Sequence, residues 1–313
     1  MPVRWHIWIG LLTAFALTGC ALLQSGSPEP QPHTGARAPP ITLPSAESMR
    51  LARYYRGVQK RLLADGQLRT DGGGSDTPVT ARSLAANFER IALFNEYRLT
   101  GGRFTQEQTP SILRRWRGPV RIQAHFGASV PREIQDRDRA ILGIYATRLA
   151  RVTGHPIRHV YSGGNFHVLY LNRDEQRTAG PLLRQILPGI GDETIDEIIR
   201  LPRSIFCTVH AFSRADDDPV YIAAIAMVRA EHPELLRRSC VHEEVAQGLG
   251  LPNDSPVARP SIFNDDEEFA LLTRHDELLL RMLYDNRLRP GMRPADAQPI
   301  VRRMADALLD GAE

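Results

Sequence analysis

The sequence predicts an α+β fold: a twisted sheet with long helices packed on it, preceded by a small helical N-terminal layer. Three observations carry that expectation. Short runs such as VRIQAHF and SIFCTVHAF alternate apolar and polar residues, as half-buried strands do. Longer runs such as RDRAILGIYATRLARVTG space apolar residues by three and four and close on a glycine, as helices do. The order of these patterns, strand–helix–strands–helix–helix, suits a sheet covered by helices.

The chain has 313 residues, 42% hydrophobic and 24% charged, enough for one large domain or two small ones. A formal net charge of +3 is weak, and no basic run is interleaved with aromatics, so nucleic acid is not expected as a partner. Lys60 is the only lysine, so nearly all positive charge is guanidinium, always ionised and able to bind in a two-pronged way.

Residues 1–20 read as a leader and not as fold. MPVR gives a positive start, WIGLLTAFAL is an apolar run too short to span as a mature helix, and LTGC follows. That ending resembles a bacterial lipobox, in which Cys20 becomes the acylated N-terminus. Ala21 after it, by the same resemblance, favours the outer membrane with the protein on the periplasmic face. The expected partner is therefore the lipid bilayer, through an anchor and not a span. An oxidising periplasm would let the remaining cysteines, Cys207 and Cys240, pair as a disulfide. The alternative is Cys240 as a nucleophile, or as a metal ligand beside His242.

Residues 21–45, rich in Ser, Pro, Gly and Gln, form a tether with too little apolar content to pack. Residues 46–110 read as the helical N-terminal region, with helices over AESMRLARYYRGVQKRLLADG and VTARSLAANFERIALFNEYR. Residues 111–290 form the main domain. Strands are expected at VRIQAHF, IRHVYS, NFHVLYLN, SIFCTVHAF and VYIAAIAMV. Helices are expected at RDRAILGIYATRLARVTG, at LLRQILPGIGDETIDEIIRLP with a break at Pro188-Gly189, at PELLRRSCVHEEVAQGLG and at LTRHDELLLRMLYD. Residues 291–313 close the chain as a C-terminal helix.

The stretch EEVAQGLGLPND, residues 243–254, carries the candidate chemistry. Glu243 and Gln247 are four apart and share a helix face. Gly250 permits a turn that would bring Asn253 or Asp254 back towards that face, with Glu244 beside them. The spacing resembles the zinc signature of metzincins, H-E-x-x-H-x-x-G-x-x-H. By that resemblance Glu243, Gln247 and Asn253 hold the ligand positions, Glu244 the general-base position, Gly250 the turn glycine, and Asp254 an acidic position after the last ligand. SIFND (261–265) resembles the Met-turn, with Phe263 in place of Met, and LTRHDELLLRMLYD resembles the helix that follows it. The resemblance covers roughly residues 115–286 and implies a zincin-like twisted sheet with a long active-site helix. The chain also resembles a family of proteobacterial lipoproteins of unknown function that carries this block, the domain-of-unknown-function family 2927.

The departures from the signature bear on function. The cofactor is unknown. If there is one, it is a divalent cation: zinc by family resemblance, calcium or manganese by ligand chemistry, since one carboxylate and two amide oxygens are hard donors. His242 stands five positions before Gln247, about 140° away on a helix, and reads as a structural histidine. His125, His159, His167 and His210 on strands are substitute ligands or, more simply, satisfied structural groups. Asp216–Asp218 reads as a solvated turn or a calcium loop. The acidic run 264–268 reads as a helix N-terminus favoured by the dipole, or as a cleft wall. Two functions follow: a metal-dependent peptidase with Glu244 as base, or a non-catalytic module that grips a peptide or an envelope polymer. In the first, VYIAAIAMV would offer its edge to an extended peptide; in the second, the cleft would do the gripping.

Overall fold

The computed structural model describes residues 43–309 apart from 101–102, 216 and 265. Cys20 and nearly all of the tether lie outside the described residues. The expected tether ends before Ser45, whose hydroxyl caps the first helix, α1 (Ala46–Ala64), and donates to the Asp174 carboxylate at 2.7 Å. No described helix is long and apolar enough to cross a membrane.

Helix α2 (Ala81–Leu93) starts on a capping box made by Thr80 and Ser83 and stops at Phe94 in extended conformation. The expected helix through Arg98 is corrected here. Strands β1 (Phe94–Thr100) and β2 (Arg103–Pro110) pair as an antiparallel ribbon. Their sequences flank Gly101-Gly102, a pair that signals a hairpin and overrides the helical spacing.

The main sheet is built from β3 (Arg115–Trp116), β4 (Val120–Phe126), β5 (Ile157–Val160), β6 (Phe166–Leu171), β7 (Cys207–Ser213) and β8 (Val220–Arg229). Strands β5, β4, β6 and β8 lie side by side and parallel, and the short β3 is parallel to the start of β8. Strand β7 lies outside β8, antiparallel to it from Cys207 opposite Val228 to Ser213 opposite Tyr221. A strand buried on both faces reads as a continuous apolar run, and VYIAAIAMV is such a run. Strand β8 is therefore interior, flanked by β6 and β7. The expectation of a peptide along β8's edge is corrected: the edge belongs to β7.

Helices cover both faces. One face carries Ile122, Phe166, Val168, Ala224, Ala226 and Val228. It packs against α3 (Arg132–Thr153) and α7 (Glu234–Gln247), with α2, α8 (Arg274–Leu283) and α9 (Pro294–Leu309) completing that core. The C-terminal helix α9 packs on α2 through Val301, Met304 and Ala305, so the two ends of the domain share one core. The other face, with Leu169, Leu171, Ile225 and Met227, is covered by α5 (Gly180–Ile186) and α6 (Asp192–Arg200), which follow the one-turn α4 (Arg173–Arg177). The described residues are thus mixed α and β with a mostly parallel sheet, as the patterns predict.

Candidate functional site

Helix α7 enters the core after Pro233 and carries the motif on its last two turns. It is anchored to the sheet by a disulfide between Cys240 and Cys207, the first residue of β7. Neither thiol is therefore free, and the alternatives of a Cys240 nucleophile or metal ligand are corrected. The buried ion pair Arg237–Asp138, 2.8 Å, ties the first turns of α7 to α3. His242 stacks on Tyr145 with ring centroids 4.0 Å apart, and its Nδ1 accepts the Leu272 amide at 3.0 Å. Burial pushes its pKa down to about 3. It is a neutral structural acceptor.

The helix closes at Gly248, in right-handed conformation, and not at Gly250. Both glycines are required by close approach. A side chain at Gly248 would meet the Phe166 ring at 2.6 Å, and one at Gly250 would run into the Arg114 carbonyl oxygen. Gly250 also has φ +127°, outside the usual range for a residue with a Cβ. The turn is clamped from outside: Trp116 Nε1 donates to the Gly248 carbonyl at 2.9 Å, and the Tyr284 hydroxyl to the Leu249 carbonyl at 2.9 Å.

Beyond the turn the structure joins some of the motif residues and separates others. Gln247 donates through Nε2 to the Asp254 carboxylate at 3.1 Å, so that pair does converge. Glu244 is 4% exposed, and its Oε2 is buried without a hydrogen-bond partner. Burial first, and the negative Asp254 second, push its carboxyl well above the usual carboxylate range. Its surroundings thus favour the protonated, neutral form. Glu243 is half-buried, with a carboxylate oxygen within 4.8 Å of one on Glu244 and of the Cys207 sulfur.

Asn253 is drawn elsewhere. Its Nδ2 donates to the Arg90 carbonyl at 2.9 Å and its main-chain N–H to the Ile91 carbonyl at 3.2 Å. It serves as a C-terminal partner for α2, satisfying helix carbonyls that would otherwise lack donors. Capping engages only the nitrogens of Asn253; its Oδ1, the atom that would ligate, is buried without a hydrogen-bond partner. No spacing rule within the motif could signal the capping, because the partner lies 163 residues away.

The residues present do not fit zinc. Among the described residues, the cluster of three histidine, cysteine or carboxylate side chains within 4.8 Å of one another is Cys207, Glu243 and Glu244, and Cys207 is oxidised. No strand histidine compensates. His125 pairs across the sheet with Leu169, and His167 and His210 both pair with Ile225. All three therefore project from the face away from α7. There His125 and His167 bond to each other at 3.0 Å, and His210 faces Glu197 at 3.8 Å. Desolvation lowers the pKa of His167 and of His210 to about 4. His159 lies on the far strand β5, against Tyr161.

The Met-turn-like segment is ordered by a buried carboxylate. Asp276 accepts from the Ser261 hydroxyl at 2.6 Å, the Ile262 amide at 3.1 Å and the Thr273 hydroxyl at 2.7 Å. Phe263 is fully buried in the main core, and its carbonyl accepts the Ser255 amide at 2.8 Å, bracing the loop after Asp254. The acidic run at 264–268 is not a helix start, since α8 begins at Arg274 with Thr273 as its cap. Glu268 instead pairs with Arg259 at 2.6 Å and Arg69 at 3.0 Å, in a network completed by Asp71 and Asp76. At the other acidic turn, Asp218 accepts the Val220 amide at 3.0 Å; Asp216 lies outside the described residues.

A family described as "Protein of unknown function (DUF2927)" matches residues 81–303. The chain belongs to that family. No curated protein matches it. The DUF2927 match runs from the start of α2 into α9 and so takes in the whole sheet, the motif and the α2 anchor of Asn253, while α1 precedes it.

Proposed function

We propose that the chain is a lipid-anchored binding module of the bacterial envelope, built on a zincin-like frame that grips an extended peptide or envelope polymer without cutting it. The observation that carries this is the tethering of Asn253 to α2 through Nδ2 and its main-chain N–H, which commits the residue at the third ligand position to the α2 terminus. Two others support it. Burial favours the protonated form of Glu244, which makes it a poor general base for a hydrolase. The donor set lacks imidazole, which zinc sites use most.

The frame is supported by the order of parts. A strand–helix–strand unit precedes α7; the glycine turn, the buried Phe263 segment and α8 follow it. In this reading β7 receives the ligand. Its other edge has no strand partner among the described residues, so its outward amides and carbonyls can pair with an extended chain. The Cys207–Cys240 bridge and the packing of α7 on β7 hold that edge rigid beside Glu243. Acylated Cys20 would place the module on the periplasmic face of the outer membrane.

A second reading, a peptidase using a hard divalent cation, is favoured by one observation: the adjacent Glu243 and Glu244 carboxylates with a buried, unpartnered Glu244 Oε2. One experiment separates the two. The full chain, made in an oxidising compartment, is assayed for bound metal by elemental analysis and for capture and cleavage of an extended peptide library. Metal-free protein whose peptide binding survives Glu244→Gln, and disappears when alternate peptide amides are N-methylated, is the expected result. Stoichiometric metal that is lost in Glu243→Ala, together with cleavage, would overturn the proposal.

A further inference from the structure

A crevice of about 360 Å³ lies away from the motif, between α1, α4, the segment after α6 and the end of β8. Its charged lining is Arg50, Arg173, Arg203 and Arg229 against the single acid Glu47. Four guanidinium groups and one carboxylate leave a formal excess of three positive charges in a chain whose net charge is only +3.

Of the four arginines, Arg173 has an ion pair in the crevice, with Glu47 at 3.7 Å. Arg229 is 1% exposed; the buried carboxylate of Glu231 acts on it electrostatically but makes no ion pair with it within 4 Å. Its guanidinium is instead held by neutral oxygens: the Gln176 side chain at 2.9 Å and the carbonyls of Leu201 at 2.9 Å and Pro202 at 2.8 Å. The Glu231 carboxylate is already engaged by the Ser48 hydroxyl and the Arg173 amide at 2.7 Å each, so it offsets the burial of the Arg229 cation only in part, and an anion at the mouth would offset more. Glu47 does not fill the role. Its carboxylate is 2.7 Å from Arg177, outside the crevice, and 3.7 Å from Arg173. Arg203 lies over the Tyr54 ring at 5.2 Å, which orients its fork at the mouth without neutralising it. Arg50 is exposed at the rim with no acidic partner among the described residues.

We propose that this crevice is a binding site for a phosphorylated ligand, with Arg50 and Arg203 as mobile donors at the mouth and Arg173 and Arg229 as the preset floor. A phosphate monoester or diphosphate carries two or more negative charges and several acceptor oxygens, matching several guanidinium forks at once. A lone carboxylate would leave most of the excess charge unmatched. The volume admits a phosphate with an attached group, which Tyr54 would cover. Residues of α1, which precedes the family match, supply one wall, while Arg173, Arg203 and Arg229 lie within the match.

The test uses the full chain and three probes by titration calorimetry: inorganic phosphate, pyrophosphate, and a short-chain, water-soluble phosphatidic acid. Binding of at least one probe is expected, falling at least tenfold in Arg50→Ala/Arg203→Ala and weakening with added salt. Those two side chains are exposed, so the variant keeps its fold; Arg229→Ala, which opens a buried hydrogen-bond cluster, is not relied upon. Phosphatidic acid preferred tenfold or more over pyrophosphate identifies a lipid headgroup as the source. The reverse order, or parity, identifies a soluble phosphorylated compound. Absence of binding by all three probes, or binding unchanged in the double variant, overturns the proposal.

Discussion

Opening the Cys207–Cys240 bridge should lower stability by an amount that follows from chain length. The bridge closes a loop with a sequence separation of 33. In the chain-entropy description, a loop of that size restricts the unfolded ensemble by about 12 cal/mol/K, or about 3.7 kcal/mol at room temperature. Both sulfurs are buried in the main core. Cys207→Ala/Cys240→Ala therefore keeps most of the packing and removes chiefly the tether. With an m-value of about 3 kcal/mol/M in urea, the unfolding midpoint should fall by about 1 M. The assay is urea unfolding followed by far-UV circular dichroism, run on the oxidised protein, on the reduced protein and on the double variant. The latter two should agree with each other. Midpoints of oxidised and reduced protein that coincide within about 0.2 M would refute the reasoning, because the bridge would then either be open in the native chain or close a loop already constrained without it.

Two further outcomes are expected. Glu244→Gln should stabilise the protein at neutral pH. The folded pKa is raised above the ordinary 4.5 by burial, so this group's contribution is fully present below about pH 4.5 and is lost as pH rises through the folded pKa. Urea midpoints should show the glutamine variant ahead at pH 7 and level at pH 4; an equal advantage at both would mean that Glu244 is ionised in the fold. Gly250→Ala should cost at least ~2 kcal/mol, since φ +127° and the Arg114 carbonyl both oppose a Cβ; a thermal midpoint unchanged from wild type would show that the turn relaxes freely.

Much of the fold was legible because its signals are local. Gly154, at φ +64°, ends α3 where the apolar spacing ends. VRIQAHF and SIFCTVHAF became strands, and Pro188-Gly189 separates α5 from α6. The cysteine pair followed from residue type and expected compartment. What was not legible depends on neighbours distant in sequence. Apolar composition marks β8 as buried, and a buried strand is interior, yet it was read as an edge because periodicity carries no strand order. Glu244 is a charged residue by type, and only its surroundings favour the neutral form. Asn253 suits a ligand position by spacing, and only the arrival of the α2 C-terminus assigns it another task. The basic crevice draws its arginines from four separated segments, none basic enough to stand out by itself.

The anchoring of Asn253 sets the difficulty of building a metal site here. Introducing imidazoles at positions 243 and 247 by point changes would supply two donors on one helix face, a weak chelate. A third at 253 would have to abandon Arg90 and Ile91, leaving the end of α2 with unsatisfied carbonyls. Single substitutions would therefore first loosen the domain before they gained an ion, a ratchet that would hold the lineage to whatever the present site does.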